Sequence, residues 1–181
     1  MSRVATRPLT IAELAEKHRE RRWDLIDGEP VEVTSSAGLS SMIASRISGE
    51  LSVYLREHPI GHAFSADAGF ILFQDRATLR SPDFAFVSHT RLSKMPETSV
   101  PIVPDLAVEV LSPSDRWADI LARSAMYLQG GVRLVWVIDP ANRTATIFWQ
   151  EALPATLKED GLLDGEVILP GFSLPLARLF A

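Results

Sequence analysis

The chain has 181 residues, a formal net charge of −5 and a hydrophobic fraction of 46%, which suits one domain with a single core in an ordinary globular protein. It has no cysteine, which excludes disulfides, thiolate metal ligands and a cysteine nucleophile. No apolar run approaches the roughly 20 residues that span a bilayer, and the opening Met-Ser-Arg-Val-Ala-Thr-Arg-Pro has no long apolar stretch, so neither a membrane segment nor a secretory signal is expected and a cytoplasmic location is the default.

Nucleic-acid binders often show a basic excess, and this chain does not. Of its 18 basic residues only three are lysines (Lys17, Lys94 and Lys158), which leaves 15 arginines. Any metal must be held by oxygen or by the four histidines His18, His58, His62 and His89, which show no ligand spacing.

Thr10-Ile-Ala-Glu13 opens a short helix, with Thr10 as N-cap and Glu13 completing a capping box. Trp23 to Val33 reads as a hairpin around Asp27-Gly28, a strong turn dipeptide between apolar flanks. Thr34 to Ser40 is a small-residue loop. Ser41 to Leu55 carries Ile43, Ile47, Leu51 and Leu55 at helical spacing, with Arg46 and Glu50 as i,i+4 neighbours on its polar face. Ala63–Ala66 and Gly69–Phe73 are strand-like, and 74–80 is a polar turn.

The stretch from Ser81 to Pro140 carries the chemistry. Asp83 heads the apolar run Phe84 to Val87, which suits a central strand covered on both faces. Leu106 to Leu111 is a second buried strand, interrupted only by Glu109. Ser112-Pro-Ser-Asp115 is turn and cap chemistry. A helix follows with Ile120, Ser124 and Tyr127, and it ends at Gly130-Gly131. Leu134 to Ile138 is a third buried strand, Asp139 to Asn142 a turn, and Thr144 to Trp149 an alternating strand. The passage from Leu106 to Ile138 is strand–helix–strand, which places its two strands parallel in one sheet. The expected fold is a mixed α/β or α+β sheet flanked by helices with an N-terminal hairpin. One domain covers 1–181: an extension over 1–22, a core over about 23–150, and short strands with a final helical turn over 151–181.

A carboxylate inside a buried strand is costly unless paired, hydrogen-bonded or metal-bound. Asp83 and Glu109 can converge at one sheet edge, where two carboxylates, the Val110 carbonyl and water would suit a hard divalent ion such as magnesium or manganese. Asp119, Arg123 and Tyr127 share one helix face. Arg123 can stabilise charge on a phosphate oxygen but cannot act as a general base. The bland alternatives are an aspartate that caps local backbone at Asp83, and an ordinary helix ion pair between Asp119 and Arg123.

These residues, in this order, resemble the Uma-type "putative restriction endonuclease" family of the PD-(D/E)XK nuclease superfamily. The resemblance spans about Trp23 to Phe180. It rests on Leu25-Ile-Asp-Gly-Glu29, Ser81-Pro-Asp83, Glu109-Val-Leu-Ser-Pro-Ser114, Tyr127 with Gly131-Val132, Val135-Trp-Val-Ile-Asp-Pro140 and Leu169-Pro-Gly-Phe172. It implies a nuclease-like core, with Asp83 and Glu109 as metal ligands for magnesium or manganese and DNA as the partner. A homodimer would let the enzyme reach both strands of a duplex. Two positions depart from the family pattern. The superfamily lysine often lies two residues after the acid, where this chain has Leu111; in this family it is displaced to the following helix, where this chain has Arg123. A histidine of the family falls at Ser40. Arg123 keeps the charge but has no titratable amine. An inactive relative that keeps the fold to bind nucleic acid or a protein partner is therefore the second reading. A carboxylate-pair hydrolase acting on sugars ranks last, because no sugar-binding cleft is marked.

Overall fold

A computed structural model describes residues 8–17, 23–33 and 37–181. The expected N-terminal extension falls partly outside them, as do His18 and the first half of the loop expected from Thr34. The elements in chain order are α1 (Ile11–Lys17), β1 (Trp23–Ile26), β2 (Glu29–Glu32), α2 (Gly38–Glu57), β3 (Gly61–Ser65), β4 (Phe70–Phe73), β5 (Thr78–Arg80) and β6 (Phe84–Ser88). They continue with β7 (Leu106–Val110), α3 (Trp117–Gln129), β8 (Leu134–Asp139), β9 (Thr144–Trp149), β10 (Ala155–Leu157), β11 (Leu162–Asp164), β12 (Ser173–Pro175) and α4 (Leu176–Phe180).

The main sheet has the order β10-β9-β8-β7-β6-β3. Within it β7 and β8 run parallel, with Leu106 opposite Leu134 and Val110 opposite Ile138, and α3 makes the connection. The other pairs in this sheet are antiparallel. Side chains alternate between the two faces of a strand. Phe84, Phe86, Leu106, Val108, Val110, Trp136 and Ile138 bury against Ile43, Ile47 and Leu51 of α2. Ala85, Val87, Ala107, Val135 and Val137 bury with Ile120 and Tyr127 of α3. Glu109 alternates with Val108 and Val110, so it faces α3. Each large apolar side chain fully buried in these layers contributes about 1.5–3 kcal/mol, which is what allows one strand to carry a charge inward.

A second sheet, β2-β1-β5-β4, carries the hairpin. Its turn has φ of 50° at Asp27 and 80° at Gly28, the two positive values that an Asp-Gly hairpin turn requires. A side chain at Gly28 would collide with Pro8, so the turn is also where the preceding segment lies down. Upstream, the capping box forms as expected: the Glu13 amide donates to Thr10 Oγ1 at 3.2 Å, and the Thr10 amide donates to Glu13 Oε2 at 2.9 Å.

Three local expectations change. The stretch 74–80 is not wholly a turn, because Thr78, Leu79 and Arg80 are buried and form β5 between β1 and β4. A polar composition concealed this strand, in which Thr78 bonds to Asp27 and Arg80 Nη1 to Asp24. The helix expected from Ser41 begins at Gly38, so Ser40 lies in its first turn. Asp115 does not cap α3. Its Oδ2 accepts the Ser112 amide at 2.7 Å, and the N-cap position is Arg116, without a side-chain cap bond. At the far end Gly131, with φ of 100°, ends α3 as expected.

Candidate active site

Where β6 and β7 emerge beside α3, a cleft of about 130 Å³ is lined by Asp24, Val31, Glu32, Val33, Arg80, Ser81, Asp83, Glu109, Val110, Ser112, Ser114, Asp115 and Arg123. Five of these are carboxylates and two are guanidiniums, and none is lysine. Glu109 is 6% exposed. Its Oε2 accepts Arg123 Nη1 at 2.7 Å, and its Oε1 accepts the Tyr127 hydroxyl at 2.6 Å. Asp83 begins the neighbouring strand, and its Oδ2 accepts the Val110 amide at 2.7 Å. The two carboxylates are thus joined through adjacent residues of β7.

The electrostatics follow from that arrangement. Burial pushes the Glu109 carboxyl above its usual value; Arg123 pulls it down, Asp83 pushes it further up, and the bonds from Tyr127 and Arg123 pull it down. Burial by itself lowers Arg123, but the charge and hydrogen bond of Glu109 outweigh it, so the guanidinium is held more firmly protonated than usual. Burial and then the Glu109 charge raise the Tyr127 phenol well above its usual value. It therefore stays a donor.

The structure brings together most of the residues that the sequence singled out. Asp83, Glu109, Val110 and Arg123 line the cleft, and Tyr127 lies behind Glu109. Asp119 is exposed, and Arg123, expected to pair with it, pairs with Glu109. Ser40 is buried next to the site, and its hydroxyl donates to the Leu111 carbonyl at 2.6 Å. Glu50 lies elsewhere. It accepts Arg178 Nη2 at 2.7 Å, while Arg46 donates to the carbonyls of Leu179 and Ala181, so the intrahelical pair gives way to contacts with α4. The described histidines line no part of the cleft. His58 stacks on Tyr54 at 4.5 Å between ring centroids, and His62 meets His89 at 4.6 Å.

Among the described residues, no three carboxylates or imidazoles form a complete metal-ligand group. Two carboxylates on one cleft, whose mutual repulsion a cation would relieve, fit a magnesium-type ion. Such an ion is commonly held by one or two carboxylates, with water and substrate oxygens filling its shell.

The family model described as "Putative restriction endonuclease" and called Uma2 matches residues 10–177. The chain belongs to the Uma2 family. Uma2 membership supports a nuclease role. A crystal structure described as "a putative nuclease belonging to DUF820", from Anabaena variabilis, matches this Uma2 chain with a TM-score of 0.80 at 20% identity, covering 96% of this chain and 98% of that one. At that identity the likeness establishes the fold. No curated protein matches the chain. No helix among the described residues is long and apolar enough to cross a membrane.

Asp24 and Arg80, which pair at 2.8 Å on the cleft wall and are buried, belong to none of the motif positions singled out in the sequence. The available signal was an aspartate at an inward strand position beside Leu25, together with an arginine directly before Ser81-Pro82-Asp83. Asp115 and Glu32 also line the cleft, from a turn and from the hairpin edge.

Proposed function

We propose that the chain is a metal-dependent nuclease that hydrolyses phosphodiester bonds of DNA, with Asp83 and Glu109 as the ion-holding carboxylates. The observation that carries this reading is the linked pair itself, with Glu109 buried, Asp83 one strand away, and both on a shared cleft. The surplus of carboxylates over guanidiniums there would repel a phosphate unless a cation stood between them. Magnesium or manganese would be held by Asp83 and Glu109, with the Val110 carbonyl as a further oxygen. When bound it supplies Lewis-acid polarisation of the phosphodiester and a lowered pKa for a water molecule at the site.

The chain's own residues do the rest. Tyr127 and Arg123 fix both oxygens of Glu109 in place, and the Val110 amide fixes Asp83, so neither carboxylate must reorganise during the reaction. Arg123 offers its remaining N–H groups to the scissile phosphate, where charge builds up as one P–O bond forms from water and one P–O ester bond breaks. Proton abstraction by Arg123 is excluded because guanidinium stays protonated. A pair of chains related by a two-fold axis would address both strands of a duplex.

A second reading is favoured by one observation. Arg123 sits on Glu109 at 2.7 Å, which neutralises the acid that an ion would need. In that reading the fold binds nucleic acid or a protein partner without cleaving.

Calorimetric titration of manganese or magnesium into wild type, Asp83→Ala and Glu109→Ala tests the first reading. Binding in wild type that both substitutions abolish is the expected result. No binding in wild type, with and without DNA, overturns it. Arg123→Lys, which loosens the hold on Glu109 and restores a titratable amine, is expected to raise cleavage of a DNA duplex. DNA binding with no cleavage in either protein would establish the second reading.

A further inference from the structure

Two charged residues on the cleft wall have no part in the reaction described above. Asp24 lies on β1 and Arg80 on β5, 56 residues apart, with exposures of 6% and 8%. Asp24 grips two consecutive residues. Its Oδ2 accepts Arg80 Nη1 at 2.8 Å, and its Oδ1 accepts the Ser81 amide at 3.0 Å. Ser81 is followed by Pro82, whose ring fixes φ and leaves little freedom before Asp83. Asp83 in turn takes the Val110 amide at 2.7 Å, next to Glu109.

We propose that Asp24 and Arg80 are positioning residues for Asp83, clamping the segment that enters β6 so that its carboxylate meets the Val110 amide at the correct distance from Glu109. The inference rests on the reading of Asp83 and Glu109 as the ion-holding pair. It makes the N-terminal hairpin a working part of the site.

Stability alone does not account for this pair. Burying two charges costs more than a single ion pair commonly returns, and an apolar pair of similar size is often as stable or more so. Apolar company is already at hand, since Leu25 and Leu79 next to the pair are buried together. An apolar pair could not accept the Ser81 amide. The pair also lies near the Tyr127 hydroxyl that holds Glu109, which the Asp24 charge pushes up and the Arg80 charge pulls down.

The test uses the full chain as wild type, as Asp24→Leu/Arg80→Met, and as Asp24→Asn. The double variant removes both charges together, so no buried charge is stranded. Asp24→Asn keeps an oxygen for the Ser81 amide and is nearly isosteric. The deciding readout is the Val110 backbone amide, followed by NMR shift and hydrogen exchange with the Val137 amide as internal reference. In the folded double variant, Val110 protection is expected to fall by about tenfold or more while Val137 holds, since local opening is read residue by residue. Asp24→Asn is expected to fall in between, and it decides by the same readout if the double variant does not fold. An unchanged Val110 shift and protection overturns the proposal.

Manganese titration of the same samples separates this inference from the one it rests on. Affinity is expected to drop by about tenfold or more in the double variant, the usual scale for losing a group that orients a ligand. A wild type that binds no manganese, with Val110 still responding, removes the metal reading and leaves the positioning role standing. Manganese bound equally by all three, with Val110 unchanged, removes the positioning role and leaves the metal reading standing.

Discussion

Strand β7 has a buried carboxylate at each end, and the two ends differ. Asp105, just before the strand, is 1% exposed. Its Oδ2 accepts the Ser88 amide at 2.8 Å, its Oδ1 accepts Arg91 Nη1 at 2.9 Å, and Arg133 approaches to 3.7 Å. It lines no part of the cleft. Glu109, four residues on, also has an arginine at bonding distance, yet it shares its surroundings with the charge of Asp83 and opens onto the cleft. Burial and an arginine partner are therefore common to both ends. A second carboxylate and access from solvent belong to one. Those two properties, rather than burial, are what make the Glu109 end the candidate site.

The largest effect expected from that contrast is on stability. Asp105→Ala removes two hydrogen bonds to a buried carboxylate, each worth about 1.5–3 kcal/mol, and takes away the partner of the Ser88 amide, so stability in urea should fall by more than in any other variant here, while the folded variant keeps the manganese affinity of wild type. Loss of manganese binding in Asp105→Ala would erase the distinction between the two ends.

Tyr127→Phe sharpens the comparison at the other end, where a neutral donor supports the acid. Losing one hydrogen bond to a charged group should cost about 1.5–3 kcal/mol. Because that bond favours the ionised acid, the Glu109 carboxyl should titrate still higher in the variant, followed by its carbon resonance. A Glu109 titration that stays in place would show that the hydroxyl does not hold it.

The smallest effect is a slope of stability with pH. Glu109 is raised above its ordinary 4.5 in the folded chain. Between that value and the raised one, the folded state holds more proton than the unfolded state does. This group's contribution is therefore fully present below about pH 4.5 and is lost as pH climbs through the raised value. Glu109→Gln should remove that part of the slope in metal-free urea titrations. Identical slopes in wild type and Glu109→Gln would contradict the assignment.

Much of this was legible in the residues. Glu109 announced itself as one charge in an otherwise apolar strand, and the i,i+4 step from Arg123 to Tyr127 brought both to its two oxygens. The hairpin turn was equally plain, because Asp27-Gly28 has few other uses. What escaped reading was long-range pairing. Thr78 to Arg80 carry no apolar alternation, so their strand shows only once β1 and β4 lie on either side. Asp24 and Arg80 stand 56 residues apart, and that they are partners shows only once the fold brings β1 beside β5. Arg46 and Glu50 mislead for the same reason, since their nearest partners in sequence lose to Arg178 and to the carbonyls beyond it. Local spacing records who stands beside whom on one element and says nothing of what arrives from another.

The Ser40 hydroxyl on the Leu111 carbonyl closes a span of 71 residues. With the spans of 56 from Asp24 to Arg80, 27 from Asp83 to Val110 and 18 from Glu109 to Tyr127, the cleft is tied to stretches of chain from residue 24 to residue 127. No short piece of the polypeptide contains the site in miniature. Its constellation belongs to the whole chain, so swapping the Ser-Pro-Asp or Glu-Val-Leu segments into another scaffold would carry the letters across and leave the geometry behind.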